Sequence, residues 1–358
     1  MTTPAPGEPS QVPSEAPTAS AGASRPAGRR HRLRWTFVLL GAVVVLFAAY
    51  LFLNPVGVAN PAGAARPTSS FAEATARFDE VARREAARPD LLAECRSKLL
   101  TNGASTNRAI VLFHGYTNCP QQFAQLGEQL AAEGFNVYIP LMPEHGEADR
   151  EHTSLGALSA EKLIDYANES ADIATGLGDR VTVLGLSGGG TVAAYLAQFR
   201  EEVDFAVPAA PYLGLPWAPN WFTPALVNLA SILPPIGIGT SASAGSGTGT
   251  YAPYAYYDNN TRAAVAYMRL GQVTLADADR HPHRARQTLT VVNDADDTVN
   301  IPTIDVLTGR WRSLAPDATG ERRFPASLKL PHDIIGPDRV DQRIAEVYPV
   351  LLDLIGSP

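Results

Sequence analysis

Residues 181–200 read Val-Thr-Val-Leu-Gly-Leu-Ser-Gly-Gly-Gly-Thr-Val-Ala-Ala-Tyr-Leu-Ala-Gln-Phe-Arg. The opening run, apolar and β-branched, predicts a buried strand, and TVAAYLAQFR from residue 191 reads as a helix. Between them, Gly185-x-Ser187-x-Gly189 is a tight strand-to-helix turn that holds a serine hydroxyl in a strained, exposed position. A Cβ at position 185 or 189 would collide with the neighbouring strand or helix. The helix start behind Ser187 adds free N–H groups and a positive dipole end, which suit an oxyanion. Ser187 is therefore a candidate nucleophile; a serine in a plain glycine-rich connection is the alternative reading.

Four other segments pair a strand with a polar turn. AIVLF (109–113) runs into His114-Gly115-Tyr116, and FNVYIP (135–140) into Pro143-Glu144-His145-Gly146. TLTVVN (288–293) runs into Asp294-Ala295-Asp296-Asp297-Thr298-Val299, and ASLKLP (326–331), read as a strand, into His332. Taken in order, HGY, PEHG, GLSGG, NDADDTV and LPHD resemble the α/β-hydrolase superfamily over roughly residues 95–356. Within it, the nearest resemblance is to serine esterases and monoacylglycerol-lipase-like hydrolases whose oxyanion loop reads His-Gly-aromatic. The pattern is specific for the fold and weakly specific for substrate, because this fold hosts many chemistries.

The resemblance implies an α/β-hydrolase fold: a mostly parallel sheet flanked by helices, with a cap segment at about residues 212–260. It also implies a triad in the chain order Ser, acid, His. Of the seven histidines only His281, His283 and His332 follow Ser187. His281 and His283 lie in a charged stretch broken by Pro282 and read as solvated, so His332 is the expected base. The family spacing Asn293-x-x-Asp296-x-x-Val299 points to Asp296 as the acid, with Asp297 second and Asp294 expected to bond its own turn. The oxyanion donors would be the N–H groups of Gly188 and Tyr116, the glycine at 115 letting the loop turn and His114 bracing it. Asn293 stands where glycine is common, and Gly188 fills a slot often held by a larger residue.

The N-terminal part has a different composition. Residues 1–28 are rich in Pro, Ala, Ser, Thr and Gly, which predicts disorder continuing as a cytoplasmic tail to residue 35. Arg29, Arg30, Arg32 and Arg34 then precede the uncharged 36–53 segment TFVLLGAVVVLFAAYLFL, long enough to cross a bilayer as a signal anchor. By the positive-inside rule the tail is cytoplasmic and the remainder external. A cleaved signal peptide is the rival, with Ala62-x-Ala64 as its site. Residues 54–70 form a Pro- and Gly-containing linker, followed by the hydrolase domain 71–358, which opens on an amphipathic helix pattern over 71–88.

The net charge is −7, and residues 1–35 carry five arginines and two glutamates, or +3, leaving −10 for the rest. An anionic domain without a basic stripe argues against nucleic acid as a partner. Cys95 and Cys119 form an even pair on the external side, which favours a disulfide tying the domain entrance to the oxyanion loop. Two thiols without nearby histidine spacing cannot close a metal shell, so no metal is expected, nor any organic cofactor. Trp217, Trp221, Phe222, Leu226 and Ile232 suggest an apolar wall over the site, and the Gly- and Ser-rich 239–250 a lid hinge. The expected activity is hydrolysis of a carboxylic ester, lipid-like or small. Acyl transfer to an envelope acceptor, peptide hydrolysis, and a non-catalytic hydrolase-like surface protein are the alternatives.

Overall fold

The computed structural model describes residues 1–3, 27–150, 154–239, 252–256 and 258–356. The expected disordered tail falls largely on residues 4–26, outside the described residues. Two units are present, Met1–Ala49 and Tyr50–Pro358. Helix α1 (Ala27–Leu53) fills the described part of the first and ends in the second. Its segment Arg32–Leu53, with a mean hydropathy of 2.6, is long and apolar enough to cross a membrane.

The second unit carries α2 (Phe71–Ala86), β1 (Lys98–Leu100), β2 (Thr106–Phe113), α3 (Ala124–Ala132) and β3 (Asn136–Ile139). Next come α4 (Ala160–Leu177), β4 (Gly178–Leu186), α5 (Gly188–Phe199), β5 (Phe205–Ala209) and α6 (Thr223–Ile232). After the short β6 (Gly237–Gly239) and β7 (Asp258–Asn260) follow α7 (Thr261–Ala278), β8 (Gln287–Asn293), α8 (Ile301–Leu314), β9 (Thr319–Phe324) and α9 (Ile344–Gly356).

Seven strands form one sheet in the order β1-β3-β2-β4-β5-β8-β9, with only β1 antiparallel to its neighbour. Residues 109–113 of β2 and 181–186 of β4 are buried throughout, as expected for central parallel strands covered by helices on both faces. The chain runs from β2 outward to β3 and then crosses to β4 on the other side of β2. That reversal is a topological switch point, and in open parallel sheets ligands commonly bind at such a point, outside the carboxyl ends of the strands. Phe113 pairs with Gly185 across it, so the loop after β2 and the turn after β4 emerge side by side.

The amphipathic pattern at 71–88 becomes α2. Ser70 caps it by accepting from Glu73 N at 3.2 Å, and Glu73 Oε2 accepts from Ser69 N at 2.9 Å, a reciprocal arrangement that satisfies otherwise open N-terminal donors. α2 packs on α4. The expected strand at 326–331 is not formed. The last strand is β9, seven residues earlier in its start, and Ala326–Leu328 is a single 3₁₀ turn ending in left-handed Lys329. Pro325 cannot donate a ladder hydrogen bond, and β9 disguises itself with Glu321, Arg322 and Arg323 because it is the sheet edge.

In the cap, Asn228 of α6 donates to the carbonyls of Leu51 and Asn54, both at 2.9 Å, and Phe52 stacks on Trp221 at 6.0 Å. Trp217 and Trp221 are 68% and 69% exposed and Ile232 is also exposed, so these three form an outward apolar face and not an enclosed wall. The proposed lid hinge at 239–250 lies outside the described residues apart from Gly239.

Candidate active site

Ser187 stands between β4 and α5 at φ 58°, ψ −113°. A non-glycine residue in this region costs of order 1–3 kcal/mol and persists only when its surroundings force it. Here the backbone is held on both sides: Ser187 N donates to Ala209 O at 2.9 Å, and Ser187 O accepts from Thr191 N at 2.9 Å and Tyr212 N at 3.1 Å. The flanking glycines answer a steric demand. A Cβ on Gly185 would lie 2.0 Å from Gly189 O, and one on Gly189 would lie 2.0 Å from Phe113 O.

His332 and Asp296 come together. His332 Nδ1 lies 2.6 Å from Asp296 Oδ2, and the Asp296 side chain is fully buried. Asp296 Oδ1 accepts from Thr298 N at 2.9 Å. With one oxygen held by the backbone and the other on the ring, this carboxylate fixes the imidazole with Nδ1 as donor and Nε2 outward. Asp297 is exposed, and Asp294 pairs with Arg323 at 2.6 Å. The turn expected from Asp294 is instead made by Asn293, whose Oδ1 accepts from Ala295 N at 3.1 Å. Asn293 Nδ2 also reaches the carbonyls of Leu330 and Pro331, each at 3.1 Å, and so ties the loop before His332 to the end of β8. A glycine there could not do this, so the departure from the family pattern has a structural use that sequence alone concealed.

The oxyanion candidates are adjacent. A Cβ on Gly188 would lie 3.1 Å from Tyr116 N and 2.9 Å from the Tyr267 ring, which explains why no larger residue stands at 188. Gly115 differs from expectation: its φ lies outside the left-handed region, and a Cβ there would meet only Gln122 and Asn118 at 3.6 Å or more. The turn does not require glycine. What fixes it is hydrogen bonding. His114 Nε2 accepts from Met142 N at 3.0 Å, which leaves Nδ1 to donate to Gly115 O at 2.9 Å. The Tyr116 hydroxyl donates to Asn260 O at 2.7 Å and accepts from Asn260 N at 3.0 Å, joining the loop to β7.

His145 packs beside His114 with ring centroids 5.2 Å apart, its Nε2 2.6 Å from Tyr116 O and its Nδ1 2.8 Å from Pro143 O. Burial, and for His114 also the facing His145, holds both imidazoles below their ordinary value of 6.5, His114 well below. The carbonyls of Pro143 and Tyr116, and more weakly Glu147 and Glu144, oppose this shift at His145 without reversing it. Below about pH 6.5 the unfolded chain therefore takes up protons that the folded rings refuse, and stability falls as pH is lowered. Each ring adds a slope of up to about 1.4 kcal/mol per pH unit. We expect the Tm to drop from pH 7 to 5.5, and His114→Gln to flatten that drop; a slope unaltered by the substitution would remove the histidine from the effect. His281 is exposed, as expected, but His283 is not solvated. It is 7% exposed, with Nδ1 on Ala285 O at 2.8 Å and Nε2 on Thr319 Oγ1 at 3.1 Å, a buried brace from the bend before β8 to the start of β9.

Cys95 and Cys119 are joined by a disulfide with Cα atoms 5.2 Å apart, and Cys119 O accepts from Gln122 N at 3.0 Å in the turn behind the candidate oxyanion loop. A bridge of sequence separation 24 contributes about 3 kcal/mol through the unfolded state. We expect reduction, well below the Tm, to lower kcat more than it raises KM; the reverse split would detach the bridge from the oxyanion loop. Among the described residues no cluster of His, Cys, Asp or Glu could hold a metal ion.

Known proteins share this fold. The thermostable monoacylglycerol lipase of Bacillus sp. (strain H-257) is 28% identical over 111 residues, 30% of this chain and 42% of that protein. The match thus spans less than half the length of that relative. Among solved structures, the Paleococcus ferrophilus monoacylglycerol lipase superposes with a TM-score of 0.55 at 18% identity, over 73% of this chain and 98% of its own. A structure from work on LipS and LipT, two metagenome-derived lipolytic enzymes, gives 0.52 at 18% identity, over 75% of this chain and the whole of its own. These likenesses concern the fold. The pattern that defines the alpha/beta hydrolase family matches residues 110–342, the span from β2 to beyond His332. The match covers more than half of the chain, and this chain belongs to the alpha/beta hydrolase family.

Proposed function

We propose that the protein is a membrane-anchored serine hydrolase that cleaves carboxylic esters through an acyl-enzyme. The observation that carries this reading is the buried Asp296 carboxylate 2.6 Å from His332 Nδ1, at the same carboxyl end of the parallel strands as the strained Ser187 turn. Ser187 Oγ attacks the ester carbonyl while His332 Nε2 takes its proton. Asp296 stabilises the imidazolium that forms. The N–H groups of Gly188 and Tyr116 hold the oxyanion, and His332 returns the proton to the departing alkoxide. Water then repeats the sequence and frees the acid.

A lipid-like substrate is favoured by the exposed cap residues Trp217, Trp221, Ile232, Leu233 and Ile236, which adjoin the last turn of α1 through the Phe52–Trp221 contact. The arginines ahead of the apolar run favour a cytoplasmic N-terminus and an external hydrolase domain. With p-nitrophenyl butyrate we expect a burst of about one p-nitrophenol per protein before the steady rate, the kinetic mark of an acyl-enzyme. Turnover with 1-monoacylglycerol should follow. Hydrolysis of neither ester, with an intact fold, would turn the reading towards a surface binding protein.

A further inference from the structure

A buried line of hydrogen bonds connects the loop of His332 with the loop of Tyr116. Gly115 N donates to Gln122 Oε1 at 2.8 Å, and Gln122 Nε2 donates to Asp333 Oδ2 at 2.8 Å. The other oxygen, Asp333 Oδ1, accepts from Ile335 N at 3.1 Å and Gly336 N at 2.8 Å, which anchors the carboxylate directly after His332. Gln122 is 1% and Asp333 5% exposed, and neither takes part in the proposed proton transfers.

We propose that Gln122 and Asp333 are positioning residues that lock the oxyanion peptide to the loop of the catalytic base. The proposal rests on the serine-hydrolase reading. Gly115 lies between two peptide groups. The N–H of the first is held by Gln122, and the carbonyl of the second by His114 Nδ1 at 2.9 Å. Those two bonds stop rotation on both sides of the Gly115 Cα, in a residue whose backbone is otherwise the freest available. The second peptide is the one whose N–H, on Tyr116, faces the oxyanion. Its aim matters because a donor acts only when directed at the place where charge develops.

A glutamine suits this task because one planar group offers one acceptor to a backbone N–H and one donor to a carboxylate. An apolar residue of the same size would leave a buried N–H and a buried carboxylate oxygen unpaired. The consequence is geometric coupling: displacement of the base loop is passed through Asp333 and Gln122 to the oxyanion donor. The base and the Tyr116 oxyanion donor thereby keep one register although they sit on separate loops.

The test exchanges the chemistry across the Gln122–Asp333 bond. Gln122→Glu sets carboxylate against carboxylate, and Asp333→Asn sets amide donor against amide donor, so each alone breaks the line. In the double variant Gln122→Glu/Asp333→Asn the new amide donates to the new carboxylate, and both outer sets of backbone bonds keep their acceptors. With p-nitrophenyl butyrate as substrate, each single change should lower kcat about 10- to 100-fold, less than or comparable to deleting an oxyanion donor, with KM within about twofold. Inhibition by phenylboronic acid, whose tetrahedral adduct needs the same donor, should weaken alongside kcat. The double variant should recover kcat to within about fivefold of the starting protein, a coupling that independent sites do not show.

Folded single variants with unchanged kcat would overturn the proposal. So would a double variant that is unfolded, or as slow as the single ones. Should the single variants fail to fold, a folded and active double variant still supports the bond, since it differs from them only by restoring it. A starting protein that neither turns over the ester nor takes up a fluorophosphonate would instead bring down the hydrolase reading itself.

Discussion

Ser187→Ala is expected to lower kcat for a short ester by about 10⁶-fold, the scale on which removal of a triad nucleophile acts. The fold should survive. Ser187 holds its turn with its backbone groups, N–H donating to Ala209 O and the carbonyl accepting from Thr191 N and Tyr212 N, and alanine keeps all three bonds. Alanine also bears the same φ of 58°, so it neither relieves nor adds strain. Activity and stability should therefore separate cleanly, with kcat lost and the Tm moved by no more than a few degrees. An ester rate that persists in a folded Ser187→Ala protein would place the nucleophile elsewhere.

Asp296→Asn should lower kcat by about 10⁴-fold, because an asparagine offers its amide to Nδ1 and turns the imidazole to the wrong tautomer. Asp297→Asn should change the rate by less than about threefold, a surface substitution away from the ring. The contrast follows from burial and contact. The Asp296 side chain is fully buried and lies 2.6 Å from His332 Nδ1, whereas Asp297 is exposed. KM should hold in both variants, since neither carboxylate is placed to bind the ground-state substrate. If the larger loss appeared at Asp297, the acid would be one residue later and the contact between Asp296 and His332 would have another meaning.

Much of the fold was legible because its signals are local. The apolar runs at 109–113 and 181–186 predicted buried strands, and the glycines at 185 and 189 predicted a close approach of chain segments, so close that an added Cβ would lie 2.0 Å from a backbone oxygen. The Cys95–Cys119 pairing was legible because the chain has two cysteines and no others. What escaped depends on distant partners. The edge strand 319–324 was hidden by Glu321, Arg322 and Arg323, whose charges reach solvent from the sheet margin while the backbone still pairs with β8.

His283 reads as solvated from its charged neighbours, but Thr319 and Trp311, far along the chain, enclose it. Gly115 was assigned a conformational role that its φ does not require; Gln122 and His114 hold the turn instead. The bond from Gln122 to Asp333 spans 211 residues of sequence and leaves no periodic or motif signal. Asn293 looked like a departure from the family pattern until its amide was seen on Leu330 and Pro331.

On the serine-hydrolase reading, Ser187 is a nucleophile activated by His332 and Asp296. The most direct test is reaction of the purified protein with a fluorophosphonate probe, followed by mass spectrometry of the labelled peptide. One adduct per chain is expected, on Ser187, slowed by orders of magnitude in Asp296→Asn and absent from Ser187→Ala. No adduct on a folded protein, or an adduct on a different residue, would contradict it.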